Sequence, residues 1–321
     1  MPPSPAEHLA VVLNDEPVSG LNLQQKGLQR ALMALGVRGV HTQRLGLTRL
    51  LARGLGKAGL IRPLNRVGNT RCLVNVTWAS EATLFPAAYF REVVPWVYDC
   101  WGPQFGAWER LFRKFRVREV CFTARDAAGH FAKAMPGLQT HWVPEACDPS
   151  LYFPGKPLAE RGTHVLELGR KSAELHEAIT GPLRAAGLEH VFSTGGSEKP
   201  IFDGLEALYR AMGDTAVSMC FPKSVTNPAG AGGVETVTQR YFETMGSGAL
   251  AVGVCPAELK DLFGFDPVIA LSKSDPGGQL VNLVKTAAAY QGHVDKCRAR
   301  LLEVGTCEAR ARAMLEMIGT S

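Results

Sequence analysis

The sequence lacks most of the short signatures that would assign a chemistry outright. Its eight cysteines are scattered and contain no CxxC pair, which removes zinc ribbons and dithiol redox motifs from consideration. A reducing compartment, with thiols used as small hydrophobes, follows. No uninterrupted apolar run reaches the roughly 18 residues of a membrane-spanning helix. The opening MPPSPAEHLAVVLNDE has no basic start followed by an apolar core, so no secretory leader is expected. A cytoplasmic location is expected, and a peripheral place on the inner face of the cell membrane stays open. GxGxxG and Walker A patterns are both missing, which disfavours a hydride-transfer cofactor and a P-loop. There is no GxSxG elbow. His164, His176 and His190 show no zinc-ligand spacing, so neither a metal nor another resident cofactor is expected. Acidic residues are absent from Pro17 to Ser80.

What is present is a chain of 321 residues, 46% hydrophobic and 20% charged, with a formal net charge of +5. That is enough for two sizeable cores. Apolar runs alternate with helical periodicity. Strands are expected at Leu9–Leu13, Val37–Val40, Arg71–Trp78, Val93–Tyr98, Val117–Thr123 and Gln139–Val143. Helices are expected at Leu21–Leu35 and Asp126–Met135. A loop rich in proline and glycine, PEACDPSLYFPGKPLAERG, marks a boundary, and the pattern then restarts. Strands follow at Thr163–Leu168, His190–Thr194, Ala216–Phe221, Ala249–Gly253 and Val268–Leu271. Helices follow at Ser172–Ala186, Phe202–Met212 and Thr238–Met245, with a terminal helical segment to Ile318. The alternation predicts an α/β chain with two parallel sheets, divided as residues 1–157 and 158–321.

Parallel sheets bind ligands beyond the carboxyl ends of their strands, so the loops there carry the candidates. Gly169, Arg170 and Lys171 follow the strand THVLEL. The glycine permits a close turn around a phosphate, and the two cations can neutralise a diphosphate. A solvated basic loop is the competing reading. Gly230, Gly232 and Gly233 precede a helix, with Glu235 and Glu243 eight positions apart. One carboxylate can accept both hydroxyls of a ribose, and the other can hold sugar hydroxyls. A helix-end charge and an ordinary surface glutamate are the alternative. Thr238 is read first as a helix cap and second as a phosphate partner. Asp99, after VVPWVY, can position an acceptor hydroxyl while Trp96 and Trp101 stack on a sugar. Equally, the tryptophans can pack the sheet and the aspartate can close a turn. The loop Asn14–Asn22 can host an acceptor or a phosphate.

The segment GGVETVTQRYFETMGSGALAVG, residues 232–253, resembles the retaining GT-B glycosyltransferases of the family 4 type, the "glycosyl transferases group 1" branch, through a Glu-x7-Glu pattern, a small-residue turn and an apolar strand. PEACDPSLYFPG, residues 144–155, is similar to that family's interdomain segment, and LELGRK, residues 166–171, to the strand and Gly-Arg turn that open its second domain. The resemblance covers about a third of the chain. It implies two Rossmann-like domains facing across a cleft, with the last helix packing back on the first. It also implies sugar transfer from a nucleotide-diphosphate donor without a metal. Glu235 would contact the donor sugar, Glu243 the ribose, and Arg170 the diphosphate. Lys171 stands where the family's lysine usually comes several residues later. The family's N-domain histidine has no counterpart: His41 falls in a basic loop and His130 in a helix. Asp99 is the substitute on the acceptor side, which would take a glycan, a lipid-linked molecule or a small molecule. A GT-B protein that binds without catalysing is the rival that the missing histidine favours.

The basic stretch Lys26–Arg71 admits a further role. An anionic membrane surface or a lipid-phosphate acceptor would suit it, and so would simple solvation. Nucleic acid is disfavoured, because no reader motif accompanies the charge.

Overall fold

The computed structural model describes residues 8–13, 22–41, 50–51, 54–55, 58, 70–81, 83–84, 90–169, 171–193 and 201–319. The chain divides into two compact units. The first comprises Met1–Glu145, Gly230–Glu235 and Cys307–Ser321; the second comprises Ala146–Ala229 and Thr236–Thr306. Neither is a single stretch, in contrast to a simple cut at residue 157.

The strands of the first unit are β1 (Leu9–Leu13), β2 (Arg38–His41), β3 (Arg71–Val76), β4 (Glu92–Val97), β5 (Glu119–Phe122) and β6 (Gln139–Trp142). They form one sheet in the order β2-β1-β3-β4-β5-β6, parallel throughout. The order reverses between β1 and β3. Pro95 sits inside β4, where a missing N–H would cost a ladder bond. The β4–β5 pairing is confined to Trp96 and Val97, after that proline.

The helices of this unit are α1 (Leu23–Ala34), α2 (Phe105–Phe115), α3 (Arg125–Ala134) and the last helix, Cys307–Gly319. The sequence reading contains no α2, although Trp108, Leu111, Phe112 and Phe115 are buried at helical spacing along it. They join Phe122 and Phe131 in an aromatic core, with Phe122 and Phe131 stacked at 5.1 Å. Ala231 and Val234 belong to the same core, which ties the glycine-rich segment to this unit. The last helix packs against α1, and its Arg310 Nε donates to the Glu145 carbonyl at 3.4 Å.

The second unit holds β7 (Thr163–Glu167), β8 (His190–Phe192), β9 (Thr215–Cys220), β10 (Leu250–Gly253) and β11 (Ile269–Ala270). Its sheet runs β11-β10-β9-β7-β8, again parallel throughout, and reverses between β7 and β9. Its helices are α4 (Ala173–Ala185), α5 (Gly204–Gly213) and the short α6 (Lys223–Thr226), then, after the one-turn α7 (Pro228–Ala231), which has residues of both units, α8 (Gln239–Gly246), α9 (Ala257–Phe263), α10 (Pro276–Lys285) and α11 (Gln291–Val304); the last helix of the chain is α12. Val165, Val217, Met219, Leu250 and Val252 from the strands pack on Ile179, Leu183, Leu280 and Leu283 from α4 and α10. Alternation of apolar strands and amphipathic helices thus yields two parallel α/β layers, as the periodicity requires.

All eight cysteines are thiols rather than disulfides, and seven are buried. Burial pushes the Cys220 thiol up to about 11 and Cys121 to about 12, so both are neutral, small core residues. Among the described residues no helix is long and apolar enough to cross a membrane.

Candidate functional site

The strongest geometry lies at the carboxyl edge of the second unit. Its reversal point falls between β7 and β9, and the loop after β7 is the one that carries Gly169 and Lys171. Gly169 adopts a φ of +83° with open space where a side chain would project. Its N–H donates to Ser193 Oγ at 3.3 Å. Arg170 lies outside the described residues. Lys171 is turned inward: its Nζ is 4.0 Å from Glu167 Oε2 and 4.6 Å from the centre of the Phe192 ring.

Glu167, the last residue of β7, is buried. His176 Nδ1 lies 2.5 Å from its Oε2, and His190 Nε2 lies 3.3 Å from the same oxygen. Burial alone would raise the Glu167 carboxyl; His190, His176 and Lys171 together hold it below the ordinary carboxylate range. Linear spacing hides this group, because its members come from a strand end, a helix start and the neighbouring strand. The β7–β8 register, which pairs Val165 with His190, is what joins them.

Glu243 lies on α8 and is 6% exposed. Tyr152 Oη donates to its Oε1 at 3.2 Å, and Arg240 Nη1 sits 2.8 Å from its Oε2. The carboxylate is therefore fixed in place, and each oxygen retains a lone pair for a further donor. Tyr152 comes from the segment at 144–155, so two of the three sequence motifs meet here. The tyrosine escapes sequence reading because nothing in spacing links it to a residue 91 positions away.

Thr238 occupies the N-cap position of α8 in extended geometry, but its side chain makes no capping hydrogen bond. The expectation that it caps the helix is corrected in that respect. The buried Glu258 of α9 instead accepts the N–H of Val237, just before the helix.

The first unit holds the other candidates. Asp99, exposed just beyond β4, has a φ of +51°. Aspartate tolerates this left-handed region better than most residues, at a cost of roughly 1 kcal/mol. Trp96 and Trp101 are buried, and Trp96 Nε1 donates to the Val143 carbonyl at 3.2 Å. Both tryptophans are core residues, which removes the sugar-stacking reading. Glu235 is half-buried, and its backbone N–H donates to Asp126 Oδ2 at 2.9 Å. Gly232 and Gly233 have φ of +59° and +81°. A Cβ on Gly232 would lie 2.5 Å from Pro103 Cδ, whereas Gly233 faces open space. Gly102 is equally constrained, since a Cβ there would lie 2.2 Å from the Gly232 carbonyl oxygen. Gly102 and Gly232 therefore need glycine for close contact, and Gly233 for its backbone angle. Asp126 is a residue the sequence reading leaves unassigned; only its place in the first turn of α3 hints at a free acceptor.

His41 ends β2 rather than lying in a loop. His130 stacks on Phe105 at 4.1 Å. Of the basic stretch 26–71, residues 42–49, 52–53, 56–57 and 59–69 lie outside the described residues, as do 14–21 of the early loop. Arg71 is engaged internally, with Nη1 donating to the Ile318 carbonyl at 2.7 Å and Nη2 paired with Glu119, so it offers no charge to a surface.

No protein-family model matches the chain, and no curated protein matches its sequence. Solved structures do. HepE (Alr3699) of Anabaena, determined with UDP and glucose, superposes with a TM-score of 0.60 at 11% identity, covering 98% of this chain and 99% of that one. Sucrose-phosphate synthase of Thermosynechococcus elongatus gives 0.57 at 12%, over 95% and 96%. AviGT4, a glycosyltransferase involved in avilamycin A biosynthesis, gives 0.58 at 14%, over 97% and 96%. The chain has the GT-B glycosyltransferase fold.

Proposed function

We propose that the protein is a retaining GT-B glycosyltransferase that takes its sugar from a nucleotide-diphosphate donor held by the second unit. The observation that carries this reading is the Glu243 carboxylate, buried, fixed by Tyr152 and Arg240, and still able to accept two hydroxyl donors. A ribose presents such a pair. The solved structures of HepE with UDP and with UDP-glucose support a nucleotide-sugar as the donor class. Gly169 lets the backbone approach the diphosphate, and Arg170 brings positive charge to it as the glycosidic bond breaks, joined by Lys171 once its ammonium leaves Glu167. Thr238 and the N-terminus of α8 offer N–H dipoles to the same charge. Charge stabilisation of this kind needs no metal at the reacting bond.

Glu235 orients the donor sugar. Its backbone is held by Asp126, and the positive φ of Gly233 gives the chain the turn it needs there. Asp99 positions the acceptor hydroxyl, on a glycan, a lipid-linked molecule or a small molecule. Such an enzyme would act in the cytoplasm, with the basic stretch 26–71, apart from the internally paired Arg71, as its contact to an anionic membrane surface.

Release of nucleoside diphosphate from a panel of nucleotide-sugars, with a mixture of acceptors, tests the reading. Turnover should fall about 100-fold or more in an Arg170→Ala, Glu243→Ala double variant; full turnover in that variant contradicts it. A second reading, binding without turnover, follows from the sequence: no histidine stands where the resemblance would place one in the first unit. Tight donor binding with no transfer to any acceptor would select it.

A further inference from the structure

The group around Glu167 satisfies a different chemistry from the one proposed for the loop above it. Glu167 Oε2, a nitrogen of His176 and a nitrogen of His190 lie within 4.8 Å of one another. Three polar atoms in this group are buried and make no hydrogen bond: Glu167 Oε1 and both ring nitrogens of His190. His190 Nε2 is close to the carboxylate, at 3.3 Å, but at an angle that forms no hydrogen bond. Buried polar atoms are paired in almost all native proteins, and an unpaired His190 Nε2 facing a buried carboxylate with a free oxygen calls for an ion or a water. Two imidazoles and a carboxylate are the donor set of open divalent zinc sites, in which a water completes the tetrahedron.

We propose that Glu167, His176 and His190 bind a divalent transition-metal ion of the zinc class. The ligands sit on elements that leave them little freedom: the end of β7, the first turns of α4 and the start of β8. Metal–ligand lengths of about 2.0–2.2 Å place tetrahedral ligand atoms roughly 3.3–3.5 Å apart. The His190 contact already has that length. The His176 contact, at 2.5 Å, must open by about 1 Å, which a rotation of one imidazole supplies. Lys171, 4.0 Å from Glu167, competes electrostatically with the ion. Metal binding would displace the ammonium from the carboxylate and return it to the loop. The ion lies below the proposed donor site and takes no part in the transfer step.

Cobalt titration of the intact protein, followed by visible absorption, tests the site, with zinc competition and calorimetry for stoichiometry. One cobalt per chain should bind, with d–d bands of a nitrogen- and oxygen-ligated tetrahedral ion and no thiolate charge-transfer band. His176→Gln, His190→Gln and their double variant should weaken binding at least tenfold, and Lys171→Gln should strengthen it. Circular dichroism and thermal melting of each variant would separate loss of ligand from loss of fold. Absence of cobalt and zinc binding by folded wild type overturns the proposal. So does a thiolate band, or unchanged affinity in the folded double variant.

Discussion

Each unit buries a glutamate beside a histidine at an end of its parallel sheet, and the two groups are built to opposite ends. In the first unit Glu119 opens β5, at the amino edge of the sheet. Arg71, the first residue of β3, pairs with it through Nη2 and approaches Glu92, the first residue of β4, at 3.2 Å through Nε. His141 Nε2 lies 2.7 Å from the other Glu119 oxygen. Burial and the Arg71 guanidinium push His141 below its ordinary value, so the ring is neutral at neutral pH. The Ile318 carbonyl of α12 accepts from Nη1, while Nε lies near Glu92 without forming a hydrogen bond. In the second unit Glu167 closes β7, at the carboxyl edge, beside two imidazoles and leaves buried atoms unmatched. The difference follows what the two edges do. At the amino edge a charge cluster ties strands to the last helix, and its carboxylates are answered by one guanidinium, of which only Nε makes no hydrogen bond. At the carboxyl edge of a parallel sheet, ligands supply the missing partners.

The sharpest way to break that contrast is Glu119→Ala. It leaves a buried guanidinium short of its main counter-charge and should cost about 3–5 kcal/mol, read as a lowered denaturant midpoint at constant slope. A loss under about 1 kcal/mol would place the amino-edge cluster on the same footing as an exposed ion pair. Gly232→Ala comes next. The positive φ and the contact with Pro103 should together cost about 1–3 kcal/mol, with Gly233→Ala milder because only its φ is at fault. Equal costs for the two would show that Pro103 yields freely. Glu167→Gln, in metal-free buffer, should cost only about 1 kcal/mol, because the carboxyl-edge group is not closed. A loss as large as that of Glu119→Ala would erase the distinction between the edges. Tyr152→Phe should be the smallest change, about 0.5–1.5 kcal/mol, and should appear mainly in nucleotide affinity. An unchanged affinity with lowered stability would make Tyr152 a packing residue alone.

The sequence carried the layers and the candidate loops, for a physical reason: parallel strands buried on both faces read as short apolar runs, and Leu9–Leu13 and Leu250–Gly253 are such runs. The positions of Glu243 on a helix and of Gly169 just after a strand were legible because both elements are local features. Tyr152, Asp126 and the Glu167 group were not, since each depends on a pairing across many residues that spacing does not record. The α2 helix shows another limit: its apolar stripe includes three aromatics, which read equally as loop anchors until the core is seen. The division of the chain was hidden for a similar reason. Ala231 and Val234 are two apolar residues in a glycine-rich stretch, and nothing in the sequence says that they belong to the aromatic core of the first unit.

The proposed donor site at the carboxyl edge of the second unit is tested most directly by calorimetry. UDP, GDP, ADP and TDP would be titrated into the folded protein and into Glu243→Ala. One nucleoside diphosphate should bind, and the variant should lose about 1.5–3 kcal/mol of that affinity, a roughly 10- to 100-fold weakening. A folded wild type that binds none of them, or a variant that binds as tightly as wild type, would contradict the account.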